Sequence, residues 1–212
     1  MEKIYISGSG RCGTTFLIKI FTFLDFDTGF TKDNYKNYIF INCNAGMEKI
    51  YNDTPYIIKS PSFLENINSI INDENIIIKY FIIPIRDYKL SSQSRVKNEL
   101  NYHLYEKVNE VLDVPEGFVN ASDEISQILH KVVPGGLVNA SDESSQILYY
   151  KESISNYIFY MTKYNINTIF IDFDEMIINK KYLFDKLINI LNEKNIDFDF
   201  FCQIYDDVSK TC

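Results

Sequence analysis

Ile4-Tyr5-Ile6-Ser7-Gly8-Ser9-Gly10-Arg11-Cys12-Gly13-Thr14-Thr15 joins a short apolar strand to a glycine-rich turn, and the turn opens into the helical run Phe16 to Leu24. A strand, such a turn and a helix N-terminus in succession build a phosphate-binding loop. Backbone N–H groups of the turn converge on an anion, and the helix dipole favours negative charge there. From Gly8 to Thr15 the spacing follows G-x-x-x-x-G-K-S/T, except that Thr14 stands at the lysine position. The loop can therefore wrap a phosphate but lacks the cation that reaches the β and γ phosphates of ATP. Its own cation is Arg11, inside the turn. A bare tight turn is the plain alternative, and the glycines, the Thr-Thr pair and the following helix count against it.

Three more blocks carry candidate chemistry. In Ile82-Ile83-Pro84-Ile85-Arg86-Asp87, an apolar run ends in Arg-Asp, and Ser94 follows two helical turns beyond Arg86. A guanidinium and a hydroxyl at that spacing suit a phosphate monoester; a salt bridge at a helix start is the commoner fate of an Arg-Asp pair. Tyr56-Ile57-Ile58-Lys59-Ser60-Pro61 places a lysine at a strand end, where solvation alone could account for it. Thr168 to Asp172 reads as a further strand, and Asp172 to Glu175 either forms a functional corner or simply complements a helix dipole.

Taken in order, the four blocks resemble the sulfotransferases that use 3′-phosphoadenosine-5′-phosphosulfate (PAPS), more closely the glycan-type and bacterial members with a Lys-Ser-Pro block. The family's first loop reads as a basic residue, Ser or Thr, Gly, Ser or Thr, and Thr. Here the run is Arg11-Cys12-Gly13-Thr14-Thr15, with Cys12 replacing a hydroxyl residue. The resemblance implies that Ser9, Gly10, Arg11, Cys12, Gly13, Thr14 and Thr15 grip the 5′-phosphosulfate. It implies that Arg86 and Ser94 hold the 3′-phosphate, although Tyr88 replaces the family's proline, and that Lys59 lies near the transferring sulfuryl group. It further implies a metal-free sulfuryl transfer from PAPS to a hydroxyl of a small-molecule or carbohydrate acceptor, leaving 3′-phosphoadenosine-5′-phosphate (PAP). Arg11 and Lys59 are then the cations that meet charge developing on the leaving phosphate.

The general base is less legible. Pro61 stands where some relatives carry a histidine, so that base is absent. Glycan-type relatives use a glutamate between the first helix and the Lys-Ser-Pro block, an interval that here contains Asp25, Asp27, Asp33, Glu48 and Asp53. Glu48 is the first choice and Asp27 the second. Two other readings stay open: a degenerate nucleotide or small-molecule kinase with Asp172 as its magnesium-binding strand end, and a catalytically silent nucleotide-binding or interaction protein.

Composition sets the outer bounds. At 212 residues, 46% hydrophobic and 24% charged, the chain suits one well-buried domain. A net charge of −8 argues against nucleic-acid binding, which needs a basic surface, and makes a strongly anionic acceptor less attractive than a neutral sugar or small alcohol. With no long apolar run and no signal-like N-terminus, a cytoplasmic protein without membrane contact is expected. Cys12, Cys43, Cys202 and Cys212 lack C-x-x-C spacing, so neither a disulfide nor structural zinc is expected. His103 and His130 have no acid or ligand partner nearby in sequence.

The fold class read from these patterns is α/β: a P-loop-type parallel sheet of about five strands flanked by helices. Strands are expected near residues 3–7, 38–42, 56–59, 76–84 and 167–172, and helices near 14–24, 62–72, 87–112, 146–165 and 180–194. Ligands of such sheets bind at the carboxyl ends of the strands, where Arg11, Lys59 and Arg86 fall. One domain over 1–212 then carries a duplicated helical insertion at about 114–149. Val114 to His130 recurs as Val133 to Tyr149, differing only at Glu116/Gly135, Phe118/Leu137, Ile125/Ser144 and His130/Tyr149. Two copies do not make a solenoid; an acceptor-side lid and a solvated insertion are equally open.

Overall fold

The computed structural model describes residues 1–40, 45–63, 66–97 and 143–211. In chain order its elements are β1 (Glu2–Ile6), α1 (Thr14–Phe23), β2 (Ile39–Phe40), β3 (Ala45–Gly46), β4 (Ile57–Lys59), α2 (Ile67–Asn72) and β5 (Ile77–Ile85). A helical stretch over residues 88–97, here α3, follows. The chain ends with α4 (Glu143–Lys163), β6 (Thr168–Asp172), α5 (Phe173–Ile178), α6 (Lys180–Leu191) and α7 (Phe198–Ser209).

Side-chain alternation sorts the molecule into layers. Successive residues of a strand point to opposite faces, and in β1 both faces are buried: Ile4, Tyr5 and Ile6 have no solvent exposure. Ile4 and Ile6, with Ile57 and Ile82, pack among Leu17, Phe21, Leu187 and Phe201 of α1, α6 and α7. Tyr5, with Ile58, Phe81 and Ile83, packs among Ile67, Ile70, Ile154 and Tyr157 of α2 and α4. The stacking of Tyr5 on Phe81 at 5.2 Å and its edge-on contact with Phe63 at 5.0 Å fill this second layer. A strand buried on both faces needs a continuous apolar run, which Phe81-Ile82-Ile83 supplies in the centre of β5.

The sheet is parallel, in the order β4-β1-β5-β6. The strand expected near 38–42 takes another course: Ile39–Phe40 pairs antiparallel with Ala45–Gly46 in a separate two-stranded ribbon. Two bonded residues a side leave too little apolar length to compete for a buried place in the main sheet.

α1 is buried from Thr14 through Thr22, the expected fate of a helix that is apolar on most sides. One side meets the sheet. The other is covered by α7, where Phe16 meets Tyr205 edge-on at 5.4 Å; no element was expected in the sequence at 198–209.

α4 spans Glu143–Lys163, so residues 143–149, the last of the second repeat, lie in its first turns. Residues 114–142, both histidines, Cys43, Cys212 and the expected helix beyond residue 97 lie outside the described residues. Cys12 and Cys202 are free thiols. No helix among the described residues is long and apolar enough to cross a membrane.

Candidate functional site at the carboxyl edge of the sheet

The topology fixes where a ligand can enter. The connection that leaves β1 runs through α1 toward β4 on one side, and the chain leaving β5 proceeds toward β6 on the other. Adjacent strands whose connections diverge leave a crevice at their carboxyl ends, the usual ligand position in open α/β sheets. Here the loop after β1 is Ser7 to Gly13, and the first residue after β5 is Arg86.

Three residues of the loop lie in the left-handed region: Gly10 at φ 86°, Arg11 at φ 56° and Gly13 at φ 89°. Gly13 is also the N-cap of α1 and supplies no side-chain cap. The first N–H groups of the helix therefore have no intrahelical acceptor and open onto the loop, the arrangement that binds anions elsewhere. Arg11 has a Cβ and holds the same region at a cost of about 1–3 kcal/mol, strain of the kind that clusters at functional sites.

Packing explains the other glycines. A Cβ on Gly8 would lie 2.5 Å from Cys12 Sγ, and one on Gly13 would lie 2.4 Å from Met176 Cε and 2.9 Å from Phe173 Cδ2. Cys12 thus fills the space behind the loop and is wholly buried. Burial pushes its thiol pKa up to about 11, against an opposing pull from the backbone N–H groups around it and from Lys59. Its side chain supports the loop from within and stays protonated at neutral pH. Gly13→Ala combines a disfavoured φ with a clash against α5, so a loss of about 2–4 kcal/mol is expected by urea unfolding. A loss below about 1 kcal/mol would show that the cradle does not depend on that glycine.

Arg11, Arg86 and Ser94 come together across the crevice. Arg11 Nε donates to Ser94 Oγ at 3.2 Å, and an Arg86 NH1 group donates to the Arg11 carbonyl oxygen at 3.2 Å. The Arg86 guanidinium lies 4.5 Å from the centroid of the Phe173 ring, which holds its plane. Arg86 Nε is buried and has no hydrogen-bond partner among the described residues. The guanidinium charge set beside Arg11 and Ser94 suits an anionic group.

Lys59 and Glu48, chosen separately from the sequence, meet. Lys59 is 2% exposed, and its Nζ donates to Glu48 Oε1 at 2.5 Å, to the Gly46 carbonyl at 2.8 Å and to Thr15 Oγ1 at 3.2 Å. The lysine is thereby fixed against the first turn of α1. The backbone turn at Gly46 (φ 125°) and Met47 (φ 62°) makes this possible. A Cβ on Gly46 would sit 2.0 Å from the Tyr38 carbonyl oxygen, so only glycine allows the ribbon to fold back. Lys49 N–H then bonds the Lys59 carbonyl at 2.9 Å and brings Glu48 alongside β4.

Other candidates lie elsewhere. Asp27 accepts from the Tyr56 N–H at 3.3 Å, at the amino end of β4 and so at the edge of the sheet opposite the loop. Asp53 accepts from Ile50 N–H at 3.1 Å, and its carbonyl receives Lys3 Nζ; β1 begins beside it. Asp25 and Asp33 are exposed. Asp172 caps α5, its Oδ1 accepting from Asp174 N–H at 2.8 Å and Glu175 N–H at 3.1 Å, and β5 separates its strand from β1.

The sequence reading missed a cavity of about 330 Å³ on the α2/α4 face, bordering the loop at Gly8 and the β4 exit at Pro61. α4 lines it with Tyr149, Glu152, Ser153, Asn156, Tyr157 and Tyr160, all on one helical face. That spacing of aromatic and amide side chains was the signal available. Tyr157 also ties the cavity to the loop: its hydroxyl bonds Ser7 Oγ, and Ser7 Oγ donates to the Ser60 carbonyl at 2.7 Å. Comparison of the chain with family models, curated proteins and solved structures finds no match.

Proposed function

We propose that the protein is a PAPS-dependent sulfotransferase that moves the sulfuryl group to a hydroxyl of a small-molecule or carbohydrate acceptor. The observation that carries this reading is the meeting of Arg11, Arg86 and Ser94 at the mouth of a phosphate loop without the P-loop lysine. An ATP-binding loop concentrates positive charge on the β and γ phosphates. Here the cations instead flank the loop, as suits a nucleotide with phosphates at both ends of one ribose.

PAPS, when bound, would supply the sulfur that the acceptor oxygen attacks while the bond from sulfur to the 5′-phosphate oxygen breaks, the acceptor's hydroxyl proton leaving to the Glu48 carboxylate or to solvent. The protein's part is positioning and charge. The N–H groups from Ser9 to Thr15 cradle the 5′ end, with Thr14 and Thr15 adding hydroxyls, and Arg86 and Ser94 hold the 3′-phosphate. Lys59, fixed beside Thr15, and Arg11 face the charge that grows on the leaving phosphate, the kind of preorganised stabilisation that contributes most to such transfers. Glu48 holds the Lys59 ammonium in place; of the carboxylates chosen from the sequence it is the one brought to this edge.

Calorimetric titration tests the assignment. PAP should bind more tightly than adenosine 5′-phosphate by roughly ten- to a hundredfold, corresponding to about 1.5–3 kcal/mol for a charge-assisted contact. Equal affinity, or no binding of either, overturns it. Binding of ADP only with magnesium points to the kinase reading, and PAP binding without transfer to any acceptor points to the silent one.

A further inference from the structure

The cavity beside Gly8 differs in chemistry from the rest of the site. Its described lining holds one charged side chain, the Glu152 carboxylate, and neither lysine nor arginine. The cations of the site are engaged elsewhere: Lys59 with Glu48, Arg11 with Ser94, and Arg86 with the Arg11 carbonyl and the Phe173 ring. The aromatic wall is tyrosine. Tyr149 lies beneath the Arg95 guanidinium at 5.7 Å, and Tyr160 is stacked parallel on Tyr164 at 6.3 Å, so both rings are held in fixed planes. Asn68 and Asn156 add amide donors and acceptors. Flat rings with a few amides and one carboxylate make a surface for a ring that carries hydroxyls, and about 330 Å³ is room for one.

We propose that this cavity seats the acceptor, that the acceptor is a ring-bearing polyhydroxy compound without an anionic group, and that Glu152 enforces the charge rule. The proposal rests on the sulfotransferase reading. An anionic acceptor entering here meets Glu152 on one side and an already anionic nucleotide at the loop on the other; the described lining holds no lysine or arginine to offset either, the Arg95 guanidinium being set over the Tyr149 ring. Like-charge juxtaposition of this kind is a rejection device rather than an affinity device. The Tyr157 to Ser7 to Ser60 hydrogen-bond chain keeps the cavity wall in register with the loop, so an acceptor seated on Tyr157 is held against the carboxyl edge.

The test uses p-nitrophenyl β-glucoside, β-glucosaminide and β-glucuronide, titrated by ligand-detected NMR against the PAP-saturated protein. Glucoside and glucosaminide are expected to bind and glucuronide to bind about tenfold or more weaker. Glu152→Gln, at an exposed position, should bring glucuronide to within about threefold of the glucoside. Asn68→Trp, also at an exposed rim position, should weaken all three by about tenfold or more with PAP affinity unchanged. Equal binding of the three by the parent chain, binding of none, or indifference to both substitutions overturns the proposal while leaving the nucleotide reading intact. Failure of PAP itself to bind overturns that reading, and the acceptor proposal with it.

Discussion

Replacing Lys59 by methionine is expected to lower single-turnover sulfuryl transfer by about two to three orders of magnitude while changing PAP affinity by less than about tenfold. The ammonium is almost wholly buried and has three fixed acceptors, Thr15 Oγ1, the Gly46 carbonyl and Glu48 Oε1. It cannot wander to follow a ligand, so its charge acts on whatever develops beside the first turn of α1. Methionine keeps the length of the stem and removes the charge. It also leaves the Glu48 carboxylate without its ammonium, and Glu48 is 16% exposed on its side chain. Stranding a half-wet carboxylate is less damaging than stranding a dry one, so a stability loss of about 1–3 kcal/mol is expected rather than the full cost of breaking a buried pair. The double variant Lys59→Met/Glu48→Gln separates the two effects: thermal stability should recover, and transfer should stay low. Weakened PAP binding with unchanged turnover would make Lys59 a nucleotide anchor instead.

Much of the carboxyl edge was legible because it depends on local order. The β1 to α1 loop declares itself through glycine spacing, and the end of β5 through an apolar run that stops at a charge. Both features follow from strands buried on two faces, which must be apolar until they emerge. The Lys59 to Glu48 contact was half legible. Each residue could be nominated from the chain, but their meeting depends on the turn at Gly46 and Met47, and a single glycine in an otherwise ordinary stretch does not announce a positive φ. Asp27 shows the reverse: it lies in the same interval of sequence as Glu48 but at the amino end of β4, opposite the loop, since sequence distance says nothing about which edge a strand presents. The cavity was missed because it belongs to no one segment; Gly8, Pro61, Asn68 and Glu152 share a wall only after α2 and α4 pack on the same face of the sheet. α7 was missed although its signal is local: Phe201, Ile204, Tyr205 and Val208 recur at helical spacing behind the Asp197 cap.

Arg86→Ala is expected to abolish the preference for PAP over adenosine 5′-phosphate, a loss of roughly ten- to a hundredfold in PAP affinity with adenosine 5′-phosphate almost unaffected. The asymmetry is the diagnostic part. If Arg86 served only the fold, by stacking on Phe173 and bonding the Arg11 carbonyl, its removal would loosen the loop and weaken both nucleotides alike. Its place beside Arg11 and Ser94, where the loop and β5 end together, argues for a ligand-directed role. Arg86→Lys sharpens the comparison. Lysine restores the charge but not the planar fork, so it should recover only part of the preference. Should both nucleotides weaken equally in Arg86→Ala, the residue acts through the loop, and the 3′-phosphate must be read by some other group. Should PAP alone weaken, the second phosphate is recognised where β5 ends, and the loop that lacks a P-loop lysine is completed by an arginine from the neighbouring strand.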